Sequence, residues 1–130
     1  MKLELCWRGP YGAGLFPETA EGMEALLGAG VYLRVKGYAK GRNIAYVGQS
    51  KQVLARIDQH LGAMLSLTHT LRDADGGVRF QPQFDARLRA LNDIDQIAAL
   101  ALAEARRMRF YCAFCEDGFD SDYLGLVEYL

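Results

Sequence analysis

Residues 30 to 60, GVYLRVKGYAKGRNIAYVGQSKQVLARIDQH, constrain the fold more than any other stretch of the chain. Val31, Leu33 and Val35 alternate with Tyr32, Arg34 and Lys36, and Ile44 to Val47 is a second short β-branched and aromatic run. Two half-buried strands are expected, with turn formers from Gly37 to Asn43 between them. A hairpin loop centred on Ala39 sets Tyr32 directly opposite Tyr46 on one face, and a slip of one residue would separate them. Ser50 is placed to cap a following helix through its hydroxyl. In that helix Val53, Ile57 and Leu61 form an i, i+4 stripe, joined by Leu54 and by Met64 or Leu65, a core-facing pattern. Gln52, Arg56 and His60 form a parallel polar stripe about 100° round the helix, so Arg56 and His60 point the same way.

The remainder of the chain sets bounds on this region. A chain of 130 residues is one domain, and 51% hydrophobic with 24% charged residues is the composition of a soluble globular protein. No apolar run approaches the ~18 to 20 residues of a membrane span, and MKLELCWRGP lacks the apolar core of a signal peptide, so no membrane association and a cytoplasmic location are expected. Three cysteines, Cys6, Cys112 and Cys115, suit a reducing compartment. Net charge is −1, but residues 30 to 60 carry Arg34, Lys36, Lys40, Arg42, Lys51 and Arg56 against Asp58 alone, a balance of +5. Residues 61 to 130 carry 7 basic and 11 acidic side chains, or −4. A basic island on a slightly acidic domain suits a phosphate-binding face, and equally a solvated lysine-rich hairpin.

Leu3, Leu5 and Trp7 alternate with polar residues as an edge strand would, and Gly9-Pro10-Tyr11-Gly12 is expected to end it. A short helix follows over residues 17 to 28 with Met23, Leu26 and Leu27 inward. These 29 residues read as an N-terminal extension packed on a core of residues 30 to 130. Ser66 to Pro82, centred on Asp73-Ala74-Asp75-Gly76-Gly77, reads as a turn, without the spacing of a calcium loop. His69 within it has no visible partner. Phe84, Leu88 and Leu91 give one helical stripe, and Asp93 with Gln96 starts a second helix from about Ile94 to Arg107. Met108, Phe110, Cys112 and Phe114 then alternate as a buried third strand. Cys112 and Cys115 point to opposite faces of such a strand, so buried thiols are favoured over a metal clasp. A last helix is expected from Asp120 or Ser121, with Glu128 on its flank.

With these residues in place the chain resembles the GIY-YIG nucleases. Gly30-Val31-Tyr32 and Tyr46-Val47-Gly48 match the two name-giving strands. Arg56 matches the arginine of the first helix, His60 the histidine one turn later, and Glu128 the glutamate on a helix after the third strand. The resemblance implies an α/β (α+β) fold, a small antiparallel three-stranded sheet flanked by helices. It further implies a metal-dependent endonuclease acting on DNA. Tyr32 would take the proton from water, and Glu128 would hold a single divalent ion, Mg2+ or Mn2+. Arg56 would bind the scissile phosphate, Tyr46 would orient Tyr32 or the water, and His60 would hold a phosphate oxygen or relay a proton. Gly48, Lys51 and Arg34 would line the substrate. A tyrosine's ordinary pKa of about 10 is too high for a base at neutral pH, so Arg56, Arg34 and the metal would have to favour its ionised form.

Each residue also has a purely structural role open to it. Tyr32 and Tyr46 make an ordinary cross-strand aromatic pair, Arg56 a solvated helix residue and Glu128 a surface charge. At the level of the whole chain, the alternatives are a nucleic-acid-binding module without turnover and an interaction subunit. A protein partner or a second copy would then supply DNA affinity.

Overall fold

The computed structural model describes residues 6–114. They form a mixed α+β domain whose four-stranded antiparallel sheet has the order β1-β6-β2-β3: β1 (Arg8–Tyr11), β2 (Gly30–Gly37), β3 (Asn43–Ser50) and β6 (Met108–Phe114). Between these strands the chain forms α1 (Ala20–Ala25), α2 (Val53–Leu65), the short ladder β4 (Leu71–Arg72) and β5 (Val78–Phe80), α3 (Phe84–Leu91) and α4 (Ile94–Arg107). The segment expected to form a last helix, with Glu128, and Cys115 lie outside the described residues, as do Leu3 and Leu5.

The amphipathic elements pack one face of the sheet. Tyr32 from β2 and Met108, Phe110 and Cys112 from β6 meet Val53, Ile57 and Met64 from α2 and Ala101 and Ala105 from α4 in one core. The α2 stripe is thus as expected, with Met64 rather than the exposed Leu65 turned inward. Asp93 caps α4 by accepting from the Gln96 amide at 3.3 Å, and α4 spans the anticipated residues.

Several local expectations are corrected. Tyr32 pairs with Gly48 and Tyr46 with Arg34, a register two residues from the anticipated one. The hairpin closes through the Tyr38 amide donating to the Arg42 carbonyl at 2.7 Å, around Lys40 at φ 63° and Gly41 at φ 70°, so its centre is Lys40 and not Ala39. A shift of two preserves side-chain parity, and Tyr32 and Tyr46 still share a face as diagonal neighbours. Gln52, not Ser50, is the N-cap residue of α2. The Val53 and Leu54 amides donate to the carbonyls of Gly28 and Leu26, both at 3.0 Å, so the α1–β2 connection replaces a side-chain cap. Ser50 Oγ instead accepts from the Gln52 amide at 3.0 Å in a local turn.

Gly9 and Pro10 lie within β1, an edge strand, where a missing backbone donor is tolerated. Leu26, the C-cap residue of α1, is buried, but Met23 and Leu27 are exposed, and no residue within the six-residue helix itself is buried. The α3 stripe faces outward, with Phe84 80% exposed, since α3 packs on α4 through Ala86 and Ala90 instead. The acidic turn is the tip of the β4–β5 ladder, where Asp73 Oδ1 accepts from the Asp75 and Gly77 amides at 3.0 Å. No described helix is long and apolar enough to cross a membrane.

Candidate active site

Strand alternation puts Tyr32, Arg34 and Lys36 of β2 on the helix-covered face, with Tyr46 and Gly48 beside them on β3. Both motif glycines have steric reasons. A Cβ at Gly48 would collide with the Tyr32 ring, approaching Cε1 to 2.9 Å, and a Cβ at Gly30 would run into the Ala113 carbonyl of β6. Gly48 therefore lets the Tyr32 ring lie flat across the neighbouring strand.

His60, two turns into α2, enters this space from the side. Its Nε2 lies 3.0 Å from Tyr32 Oη and its Nδ1 lies 3.2 Å from Arg34 Nη1. Its ring centroid is 5.4 Å from that of Tyr46 and 6.0 Å from that of Phe110. The Tyr32 and Tyr46 rings are 6.2 Å apart, tilted at 38°. Arg34 Cζ stands 5.3 Å from the Tyr46 ring centroid. Hairpin and helix thus bring Tyr32, Tyr46, Arg34 and His60 together, with Gly48 as the floor.

Arg56, one turn before His60, is exposed and donates to Gln59 Oε1 at 3.1 Å. Its charge is close enough to favour the Tyr32 phenolate. Lys51 is exposed in the β3–α2 connection. Glu128 lies outside the described residues.

The electrostatics are set by burial. Tyr32 is 2% exposed, and its phenol is pushed up to about 12 by desolvation and by Tyr46, against the opposing pull of Arg56 and Arg34. His60 is pushed down to about 4 by burial and by the charges of Arg34, His69 and Arg56. It is neutral near pH 7, with both ring nitrogens engaged.

Two features were not evident from the sequence. His69, in the connection after α2, packs its ring edge-on at 6.5 Å from His60. A second polar cluster lies further along β2: the fully buried Glu104 of α4 accepts from Lys36 Nζ at 3.1 Å, Tyr38 Oη at 2.8 Å and Arg107 Nη1 at 2.8 Å. No local pattern announces it, because its donors come from β2 and the residue after it as well as from α4. Cys112 is buried with its thiol pushed up to about 12, the behaviour of an inert core cysteine.

The donor set decides whether a divalent ion fits. Magnesium is held by carboxylate and carbonyl oxygens. The side chains that meet here are phenols, an imidazole and guanidinium groups. Among the described residues there is no group of three or more His, Cys, Asp and Glu side chains able to hold a metal. These residues by themselves do not fit the ion.

Comparison with protein-family models, with curated proteins and with solved structures finds no match to this chain.

Proposed function

We propose that this chain is a GIY-YIG-type endonuclease that cleaves DNA phosphodiester bonds, with Tyr32 as the proton-accepting phenol. The observation that carries the reading is the meeting of Tyr32, His60, Arg34 and Tyr46, residues up to 28 positions apart, beside the exposed Arg56. The Tyr32 phenolate takes a proton from water, and the water oxygen forms a bond to phosphorus as the bond to the leaving oxygen breaks. Solvent protonates that oxygen. Arg56 offers its planar fork to the phosphate. In this reading Glu128 would be the residue to hold a divalent ion, which would supply positive charge near the phosphate.

The basic island is smaller than its composition suggests. Lys36 is locked to Glu104 and Arg34 to His60, which leaves Lys40, Arg42, Lys51 and Arg56 exposed. Binding should therefore show a shallow salt dependence, with a log–log slope no steeper than about −4.

Incubation of supercoiled plasmid with the protein and magnesium should give nicked circles. Tyr32→Phe should slow this by about a hundredfold or more, the scale of a lost proton-transfer group. Equal nicking by wild type and Tyr32→Phe would remove the basis of the reading.

One observation favours a second reading, a binding module of the same fold without turnover. Burial opposes ionisation of Tyr32, the reverse of what a base near pH 7 needs. DNA binding that weakens with salt, without magnesium-dependent nicking, would select this reading.

A further inference from the structure

We infer that Arg34 is a positioning residue: by donating to His60 Nδ1 it holds the imidazole in the tautomer that donates from Nε2 to the Tyr32 hydroxyl. Arg34 thereby decides where the Tyr32 proton can go. The argument is one of donors and acceptors. A guanidinium has five N–H donors and no acceptor, so at 3.2 Å from Nδ1 it can only donate. Nδ1 must then present its lone pair, and a neutral imidazole with a bare Nδ1 carries its proton on Nε2. At 3.0 Å that Nε2–H donates to Tyr32 Oη, which accepts.

The phenol's own proton is consequently turned away from His60. Were His60 to receive it, Nε2 would need a lone pair and the imidazole proton would have to move to Nδ1, against the Arg34 donor. His60 is therefore not the base that ionises Tyr32, but a donor that steadies the phenolate once the proton has left by another route. The depressed basicity of His60 agrees, since an imidazolium would set a second N–H against Arg34.

Arg34 also holds the other wall of the cluster. It is the cross-strand partner of Tyr46 and stacks over that ring at 5.3 Å. Its Nε is buried without a hydrogen-bond partner among the described residues, so its placement is not explained by satisfaction of its own donors. The bearing of this arrangement on catalysis rests on the phosphodiester reading, whereas the proton arrangement does not.

The test is nitrogen-15 NMR of the histidine rings in the full chain at neutral pH. Wild-type His60 should show a protonated Nε2 and an unprotonated Nδ1. Arg34→Lys, also a donor without an acceptor, should keep that pattern, and Arg34→Met should shift it toward a mixture or toward the Nδ1–H form. A wild-type His60 protonated on Nδ1 overturns the inference, with no variant needed. So does a pure Nε2–H form persisting in Arg34→Met.

Where wild type nicks DNA, Arg34→Met should lower kcat by about tenfold to a hundredfold with little change in KM, and Arg34→Lys should restore most of it. A change in KM alone would make Arg34 a phosphate contact and overturn the positioning role. A wild type that shows the Nε2–H signature but does not nick would support the tautomer assignment while removing the phosphodiester reading.

Discussion

Two polar clusters sit side by side on the same face of β2, and they are built on opposite principles. Around Glu104, a fully buried carboxylate meets Lys36, Tyr38 and Arg107, and Arg107 also stacks over the Tyr38 ring at 5.4 Å. Charge is matched by charge there, and the bonds tie α4 to the central strand. Around Tyr32, its phenol and the Arg34 guanidinium both bond to the His60 imidazole, the Tyr46 ring packs against all three with no carboxylate among them, and Arg34 Nε has no partner among the described residues. The first cluster is closed, since each donor meets the same anion. The second opens outward at Tyr46, which is 46% exposed. A closed ionic cluster holds elements in place, whereas an open one keeps hydrogen-bonding capacity for something that arrives.

The largest effect expected from this contrast is on stability. Glu104→Ala leaves Lys36 buried without its counter-charge and Arg107 without its main acceptor, and should cost about 3 to 5 kcal/mol. Urea denaturation measures it. A loss under about 1 kcal/mol would mean that Glu104 is not what fastens α4 to β2.

A smaller and more local effect is expected at Gly48. The methyl of Gly48→Ala would collide with the end of the Tyr32 ring, a rigid group packed in the core, so the ring must move away from His60. The cost should be about 1 to 3 kcal/mol, typical of overpacking. The Tyr32–His60 bond and any nicking should be lost, while the Glu104 cluster stays intact. Ring-proton NMR shifts confined to Tyr32, Tyr46 and His60 would show that the two clusters are independent. Shifts spreading to Tyr38 would show that β2 couples them.

The contrast also shows which parts of the molecule local pattern can reveal. The hairpin, the α2 stripe, the Asp93 cap and the buried alternation of β6 are short-range matters of period and capping, and they could be read from residue order. Side-chain parity put Tyr32 and Tyr46 on one face. The register was missed by two residues because it depends on Lys40 and Gly41 taking left-handed conformations in the turn. The cap on α2 was missed because its acceptors are backbone carbonyls near residues 26 and 28, which no side-chain pattern announces. In the sequence Glu104 is one charge on an alanine-rich helix, and only the packing of α4 over β2 reveals its three donors. Phe84 and Leu88 had a convincing helical period, but period says that a face is apolar and not that anything covers it.

His69 was also illegible for this reason, and it supports the smallest prediction. The group concerned is His60, whose folded pKa of about 4 lies below the ordinary 6.5 of an unfolded chain. Between these values the unfolded state binds a proton that the native state refuses, so stability rises with pH across the window and falls as pH drops from about 6.5 toward 4. The slope is bounded by about 1.4 kcal/mol per pH unit and is reduced by the solvent that reaches this half-buried ring.

His69 contributes to that depression through its charge, after burial and Arg34. His69→Ala should raise the His60 pKa and flatten the loss of stability between pH 6.5 and 5, while changing stability at pH 7 by no more than about 0.5 kcal/mol. Proton NMR titration of His60 in both proteins, with urea midpoints at pH 5 and pH 7, measures the two effects separately. An unchanged His60 titration would make the edge-on contact a matter of packing alone. A raised His60 pKa would instead show that the open cluster extends past the hairpin and α2 to include the residue after them.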